Sequence, residues 1–218
     1  MLKSCGTLFY NKLIEHNVKN VWLYSGGAIM PIVDTFYKNN KINYYVNTHE
    51  QSAGHAATGY AKSSNETGVV IVTSGPGLTN LVTPILDATN DSTPLVVFSG
   101  QVAQENMGSL AFQECPATEI TKSITKWSYC VKQVEELPDV IDCAFHIANE
   151  GKRGAVHIDL PKCVTSGIYK NRSYISNIHM KKSDDIIIKT RDICDIVDII
   201  NDSESPVLYV GKGCNEYS

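Results

Sequence analysis

Residues 47–62 read NTHEQSAGHAATGYAK, and this stretch decides the fold of the chain. A β-prone aromatic run at 42–46 precedes it and a run of small residues follows, so Glu50 is predicted where a strand passes into a helix. In open α/β sheets that position lies at the carboxyl edge, where ligands bind. An acid in the first turn of a helix also offsets the helix dipole, so a role for Glu50 needs support from the rest of the chain.

Two glycines, Gly54 and Gly59, interrupt the predicted helix that follows Glu50. Glycine destabilises a helix interior by about 1 kcal/mol relative to alanine. Its presence twice among alanines therefore indicates that another backbone packs very close, at a tight helix pair or at a subunit interface. The alternative is a poor helix with a flexible middle.

Strands and helices alternate along residues 1–165, and this alternation predicts an α/β fold, a doubly wound parallel sheet with helices on both faces. Continuous apolar, β-branched runs such as 69–73 are typical of strands covered on both faces. Pro84 is expected to kink the helix at 78–86. Residues 107–118 lack periodicity and are predicted to form a loop at the ligand edge. The predicted strands are 21–24, 42–46, 69–73, 95–98, 127–131 and 154–160.

The last part of the chain differs in composition from the first. Residues 166–188 are mostly polar and are predicted to form a surface linker. An amphipathic helix at 193–200, a buried strand at 206–210 and a turn at 211–213 are predicted after it. One helix and one strand cannot build a doubly wound sheet, because a parallel strand needs neighbours and a covering helix. We therefore expect residues 189–218 to be the beginning of a second α/β domain.

Composition and charge exclude several classes of protein. The net charge is −4, the isoelectric point is near 5.8 and no basic run occurs, which argues against a nucleic-acid partner. No apolar run reaches membrane-spanning length and the N-terminus lacks a signal-peptide pattern, so a cytoplasmic location without a membrane anchor is predicted. The seven cysteines form no Cys-x-x-Cys pair and no zinc-site spacing with histidines, so no metal site is predicted.

Six short motifs follow one another along the chain, and each is a weak signal by itself. The motifs are SGGA at 25–28, HEQ at 49–51, TSGPGLTN at 73–80, GQV at 100–102, AFQE at 111–114 and LPK at 160–162. Their order and spacing together resemble the pyrimidine-binding domain of thiamine-diphosphate enzymes, and within that family they are most similar to acetolactate synthase. The likeness covers most of the chain, and the tail is similar to the start of that family's central domain.

The resemblance implies a reaction and a catalytic acid. Members of the family use one carboxylate to hydrogen-bond N1′ of the cofactor's aminopyrimidine, which helps to remove the thiazolium C2 proton. The cofactor, thiamine diphosphate, then decarboxylates a 2-keto acid such as pyruvate and joins the remainder to a second 2-keto acid. Glu50 matches this acid, so the resemblance implies a catalytic role for it.

The resemblance also implies the residues that surround the cofactor and the substrate. Gly27, Phe112 and Lys162 match positions beside the substrate. Lys152 stands where the family commonly has a flavin-contacting arginine, so FAD is implied as a second cofactor, although lysine lacks the planar fork of arginine. Positions that match cofactor-binding residues are Tyr24, Ser25, Gly26, Glu50, Thr73, Gly75, Pro76, Asn80 and Gln113.

The sequence departs from the family at several points. Ser25 replaces a proline usual before the two glycines, and Leu78 stands where alanine is common, which puts the fit of the substrate in question. The family binds the diphosphate through Mg²⁺ on a Gly-Asp-Gly…Asn motif of a separate domain, and these 218 residues contain no Gly-Asp-Gly. The chain is therefore expected to supply only the pyrimidine side of a site.

The missing half of the site suggests partners and leaves an alternative. The expected partners are a second copy, in a homodimer through the pyrimidine-binding domain, or a chain that carries the diphosphate domain with its magnesium ligands. The alternative is a non-catalytic remnant or interaction module of the same fold. A generic nucleotide-binding domain is disfavoured, because Gly-x-Gly-x-x-Gly is missing after the first predicted strand.

Overall fold

A computed structural model describes residues 2–170, 188–211 and 214 of the chain. The chain divides into two units, Met1–Met180 and Lys181–Ser218. The strands are β1 (Lys3–Ser4), β2 (Asn20–Leu23), β3 (Asn43–Val46), β4 (Gly68–Val72), β5 (Leu95–Gln101), β6 (Trp127–Cys130), β7 (Ala155–Pro161) and β8 (Ile168–Tyr169). The helices are α1 (Cys5–Glu15), α2 (Met30–Lys38), α3 (Glu50–Ser64), α4 (Pro76–Thr79), α5 (Val82–Asn90), α6 (Ala117–Thr121), α7 (Leu137–Asn149), α8 (Lys162–Thr165) and α9 (Thr190–Asn201).

A parallel sheet forms the centre of the first unit. Within the described residues its strand order is β3-β2-β4-β5-β7-β6, and every neighbouring pair is parallel. Strands β4, β5 and β7 are buried along their whole length, which agrees with their continuous apolar runs. The prediction of a doubly wound parallel sheet is therefore confirmed.

Two hydrophobic clusters cover the two faces of the sheet. Alternate residues of β4 point to opposite sides, so Val69 and Ile71 join one cluster while Val70 and Val72 join the other. The larger cluster packs the sheet against α1, α2 and α7, and includes the edge-to-face pair of Phe9 and Phe98 rings at 4.7 Å. The smaller cluster packs it against α3 and α5. Because all six strands are parallel, their carboxyl ends lie at the same edge of the sheet.

Helix α3 begins as the sequence predicts. Glu50 is its first residue, and His49 is the N-cap, whose Nδ1 accepts a hydrogen bond of 3.1 Å from the Gln51 backbone N–H. Asn65 ends the helix in the left-handed conformation, with φ of 58°. Because the helix starts where β3 has just ended, Glu50 lies at the carboxyl edge of the sheet.

The predicted helix at 78–86 is wrong in one respect. The chain forms α4 and α5 with a break between them, and Pro84 lies in the first turn of α5 instead of kinking a continuous helix. A proline in the first turn needs no hydrogen-bond partner for its missing N–H, so it fits there without distortion. The break leaves Asn80, the C-cap of α4, beside the carboxyl edge of the sheet.

The second unit carries only part of what was predicted. Helix α9 forms as expected, but residues 206–210 form no strand and Val207, Leu208 and Tyr209 are exposed. A strand needs a ladder partner, and no described residue pairs with this segment. Of the predicted linker, β8 instead pairs antiparallel with β1, while 171–187 lie outside the described residues, as do 212–213 of the predicted turn.

The two glycines of α3 have different surroundings. A Cβ on Gly54 would lie 2.5 Å from Cγ of Pro84, in α5, and 2.8 Å from Cδ2 of Leu81, the N-cap of α5. A Cβ on Gly59 would meet nothing within 4 Å. Close packing is thus confirmed at Gly54, although the approaching atoms are side chains of Leu81 and Pro84 and not backbone, while a subunit interface on this helix stays a prediction.

This contrast predicts opposite effects of one substitution on stability. We expect Gly54→Ala to lower the free energy of unfolding by about 1–3 kcal/mol, because the added methyl overpacks the contact. Gly59→Ala should raise it by about 0.5–1 kcal/mol, because the helix gains propensity without a clash. Urea denaturation of the two variants measures both values, and effects of the same sign would contradict this account of the packing.

Candidate active site

Glu50 is buried at the start of α3, with 8% of its surface exposed. Its Oε2 accepts a hydrogen bond of 3.0 Å from Nδ2 of Asn80. An acid that only offset the helix dipole could remain in solvent, but this carboxylate is turned inward and held by a side chain from α4. The structure therefore brings together two residues that the resemblance assigned to the cofactor.

A second contact joins Gly26 to Thr73. A Cβ on Gly26 would lie 2.3 Å from both Cβ and Oγ1 of Thr73, so the loop after β2 can approach the end of β4 only without a side chain. Thr73 is 7% exposed, and its Oγ1 is buried with no hydrogen-bond partner among the described residues. A buried hydroxyl without a partner costs about 1–3 kcal/mol, so any group that hydrogen-bonded to it would be bound favourably.

A third contact joins the turn after β4 to the loop at 107–116. Gly75 has φ of 56° and ψ of −112°, and a Cβ there would come within 2.6 Å of the Gln113 carbonyl oxygen. Gln113 itself has a positive φ of 61°. This close backbone approach places Gln113, a predicted cofactor residue, against the loop that carries Thr73 and Pro76.

The three predicted substrate residues line one groove of about 370 Å³ beside these contacts. Gly27 comes from the loop after β2, Lys162 follows β7, and Phe112 forms the rim with 89% of its surface exposed. Ser74, Gln101 and Gln113 also line it. Small-molecule sites in proteins commonly have volumes of roughly 300–1,000 Å³, so the groove suits a small ligand.

Three further predicted residues have less defined surroundings. Tyr24 is 37% exposed, and its backbone N–H donates to the Ile71 carbonyl at 3.0 Å, which extends the pairing of β2 and β4. Ser25, which precedes Gly26, and Pro76, which follows Gly75, are both exposed. Lys152 precedes β7 and so lies at the amino edge of the sheet, whereas Lys162 and the groove lie at the carboxyl edge.

A buried polar network behind the groove was not predicted. Asp159 is 2% exposed; its Oδ1 accepts from the Ser99 hydroxyl at 2.6 Å and its Oδ2 from Gln101 Nε2 at 3.0 Å. His157 is fully buried, with Nε2 2.7 Å from the Ser99 hydroxyl and Nδ1 2.8 Å from that of Thr121. Polar residues two apart in a strand share one face, so the sequence alone could have placed His157 and Asp159 side by side, although not beside their partners on β5 and α6.

Burial shifts the pKa values of this network in opposite directions. It raises the pKa of Asp159 to about 7, although the hydrogen bonds from Ser99 and Gln101 act to lower it. It lowers the pKa of His157 to about 3. The structure therefore favours the uncharged form of both side chains, as expected in a low-dielectric interior.

These shifts predict a pH dependence of stability. The contribution of Asp159 to the free energy of unfolding is fully present below pH 3.8. It is lost as the pH rises through about 7, because the pKa of Asp159 is raised in the folded state. The contribution of His157 is present above pH 6.5 and is lost as the pH falls toward 3. The two slopes oppose each other between about pH 4 and 6.5, so the wild type should show little net slope from this pair.

Asp159→Asn should remove one of the slopes. We expect the free energy of unfolding of the variant, relative to wild type, to increase from pH 4 to pH 7 with a slope of at most about 1.4 kcal/mol per pH unit. Urea denaturation at several pH values measures it, with Glu119→Gln, which changes an exposed acid of α6, as the control. Parallel profiles of Asp159→Asn and wild type would show that Asp159 does not titrate in this range.

Doubly wound α/β domains bind ligands at the carboxyl edge of the sheet, and the first unit is a domain of this class. Residues 3–120 match the family model of the thiamine pyrophosphate enzyme, N-terminal TPP binding domain, and the chain belongs to that family. The resemblance seen in the motifs is thereby confirmed. No helix in the part of the chain that the structure describes combines the length and apolarity needed to cross a membrane.

Curated relatives share about two fifths of the residues. Acetolactate synthase catalytic subunit, mitochondrial, of Saccharomyces cerevisiae is 43% identical over 217 residues, which cover 95% of this chain and 31% of that protein. Acetolactate synthase, mitochondrial, of Schizosaccharomyces pombe is 42% identical over 97% of this chain and 33% of its own length. Acetolactate synthase large subunit of Corynebacterium glutamicum is 39% identical over 92% and 32%. The chain thus spans about a third of the length of these relatives.

Proposed function

We propose that the chain supplies the pyrimidine side of a thiamine-diphosphate site in an acetolactate-synthase-like carboligase. The enzyme decarboxylates a 2-keto acid such as pyruvate and joins the remainder to a second 2-keto acid. The observation that carries the proposal is Glu50, a buried carboxylate held by Asn80 at the ligand edge of a domain of the thiamine enzyme family. The cofactor, when bound, supplies the electron sink, and the protein orients it.

The residues at the carboxyl edge fit the aminopyrimidine of this cofactor. Glu50 holds a proton at the ring nitrogen N1′, and Asn80 fixes the direction of its carboxylate. The unpartnered hydroxyl of Thr73 has a free capacity to donate or accept a hydrogen bond with a polar ring substituent. Gly26 and Gly75 let the loops at this edge pack closely on Thr73 and Gln113, beside the space proposed for the ring. Tyr24, Ser25, Pro76 and Gln113 border this space in the proposal.

The groove beside the ring is the proposed substrate side. The Lys162 ammonium carries a positive charge for the carboxylate of a 2-keto acid, and Phe112 covers the acid's apolar part from the rim. Gly27 leaves room beside the reacting carbon, since a side chain there would project into open space. The second keto acid is not distinguished by these contacts.

The remaining parts of the site are proposed to come from elsewhere. Mg²⁺ and the diphosphate would be held by another domain, on this polypeptide or on a partner chain, since the relatives are about three times as long. A homodimer through the pyrimidine-binding domain is proposed on the resemblance to the family. FAD and a cytoplasmic location stay predictions: Lys152 is away from the groove, and two of the relatives have mitochondrial names.

A titration of the isolated chain tests the proposal. With Mg²⁺ and thiamine diphosphate, we expect weak binding by calorimetry, in the range of roughly 0.1–1 mM, and no conversion of pyruvate. Amide signals of Gly26, Thr73 and Gly75 should shift in nuclear magnetic resonance spectra, whereas pyrophosphate alone should shift none of them. Absence of these shifts at millimolar cofactor would favour the non-catalytic remnant. Submicromolar binding would overturn the half-site part of the proposal.

A further inference from the structure

The loop at 107–116 carries Phe112 and Gln113 in a conformation that needs support. Leu110 and Gln113 both have positive φ angles, 58° and 61°, which L-amino acids with side chains adopt at a cost. The Glu114 carboxylate accepts hydrogen bonds from the backbone N–H groups of Gly108 and Ala111, but these bonds lie within the loop. They shape the loop without fixing its position on the sheet.

Gln101, at the end of β5, connects this loop to the sheet. Its Nε2 donates to the Cys115 carbonyl at 2.8 Å and to Asp159 Oδ2 at 3.0 Å, and its Oε1 accepts from the Val102 N–H at 2.9 Å. All the polar atoms of the side chain are therefore engaged, and its orientation is fixed. Cys115 is two residues beyond Gln113, so the hydrogen bond reaches the end of the loop that contacts Gly75.

Asp159, on the neighbouring strand β7, holds the Gln101 side chain by a hydrogen bond. The carboxylate accepts from two neutral donors, the Ser99 hydroxyl and Gln101 Nε2, and is 2% exposed. Burial raises its pKa, which means that the carboxylate form opposes folding. Asp159 accepts one N–H of the Gln101 amide, and this leaves the other N–H directed at the Cys115 carbonyl.

We propose that Asp159 is a positioning residue, which acts through Gln101 to hold the Phe112–Gln113 loop against the turn after β4. The wall of the groove formed by Phe112 and Gln113 then depends on a carboxylate that does not contact the groove. The meaning of this wall for catalysis rests on the proposed function. The coupling of Asp159 to the loop does not depend on a bound cofactor.

Hydrogen exchange of the backbone amides at 107–116, in the full 218-residue chain without cofactor, tests the coupling. We expect Gln101→Leu and Asp159→Ala each to speed exchange there by about five- to tenfold, the effect of one hydrogen bond. Asp159→Asn should keep the wild-type rate, because its amide oxygen can accept from Gln101 while its N–H donates to Ser99. Rescue by this variant separates the need for an acceptor from a general loss of stability.

Ser99→Ala is the matched control. It removes the other hydrogen bond to Asp159 and also disturbs the buried network, but it does not touch Gln101. Exchange at 107–116 should therefore stay within about twofold of wild type. An unchanged rate in folded Gln101→Leu or in folded Asp159→Ala, or an equal increase in Ser99→Ala, would overturn the proposal. If Asp159→Ala fails to fold, Asp159→Leu, which fills the space but also offers no acceptor, takes its place. No cofactor is added in this experiment. The exchange result therefore does not depend on whether the chain binds thiamine diphosphate, and a negative exchange result leaves the proposed cofactor binding standing.

Discussion

Glu50→Gln is expected to lower the turnover of the proposed carboligase, once assembled, by about 10²–10⁴-fold, the range of a positioned acid–base group. The amide cannot hold the proton that a carboxylate shares with N1′ of the aminopyrimidine. Its oxygen can still accept the hydrogen bond that Asn80 donates, so the start of α3 should remain in place. The substitution is nearly isosteric, and a change in folding should therefore contribute little to the loss.

Two measurements separate chemistry from binding. Turnover of pyruvate gives the overall loss, and deuterium exchange of the C2 proton of the bound cofactor shows whether the step that Glu50 assists has slowed. Glu119→Gln, a change of the exposed acid on α6, is the control and should leave both rates unchanged. If Glu50→Gln retains full C2 exchange, the carboxylate does not take part in proton transfer and Glu50 has only a structural role.

Much of the fold is predictable because its strands carry a local signal. The run 69–72 is apolar at every position, so both faces of β4 must be covered, and the structure divides its side chains between two clusters. The segment 206–210 carries the same local signal but forms no strand. Its hydrogen bonds depend on a partner, and no described residue supplies one. Apolar composition thus predicts the tendency to form a strand, while pairing decides the outcome.

The site was predictable to the extent that its residues belong to motifs. The contacts Glu50–Asn80, Gly26–Thr73 and Gly75–Gln113 each join two motifs that are far apart in the chain. A single motif is therefore a weak signal, since each holds only one side of a contact. Their order is informative because the parallel sheet brings the loops after β2, β3, β4 and β5 to one edge.

The network behind the groove was not predictable by the same reasoning. Gln101 and Asp159 lie 58 residues apart, on β5 and β7, which pair with Gln101 opposite Pro161. The strand 154–160 is apolar enough to be assigned from its hydrophobic residues alone, and its two polar positions, His157 and Asp159, do not by themselves indicate which residues they contact. Only the pairing of β5 with β7 shows that they face Ser99 and Gln101.

Gly75→Ala is expected to lower the free energy of unfolding by about 2–4 kcal/mol, more than the alanine substitutions at Gly54 or Gly27. The φ of 56° and ψ of −112° are those of the first central residue of a type II′ turn, which strongly favours glycine. The added Cβ would also lie 2.6 Å from the Gln113 carbonyl oxygen and 3.0 Å from its Cα. These are backbone atoms, so no rotation of a side chain can relieve the clash.

Relief of the clash requires the loop at 107–116 to move away from the turn, and the stability loss should therefore come with faster amide exchange at 107–116. Gly27→Ala is the control for stability, because a Cβ there meets nothing within 4 Å and its φ is not in the left-handed region. Urea denaturation and hydrogen exchange of both variants measure the difference. A loss below about 0.5 kcal/mol, the usual effect of a surface substitution, together with unchanged exchange would show that the turn after β4 does not position the loop. The groove wall would then depend on other contacts of the loop, among them the hydrogen bond from Gln101, and thiamine-diphosphate binding should tolerate a side chain at position 75.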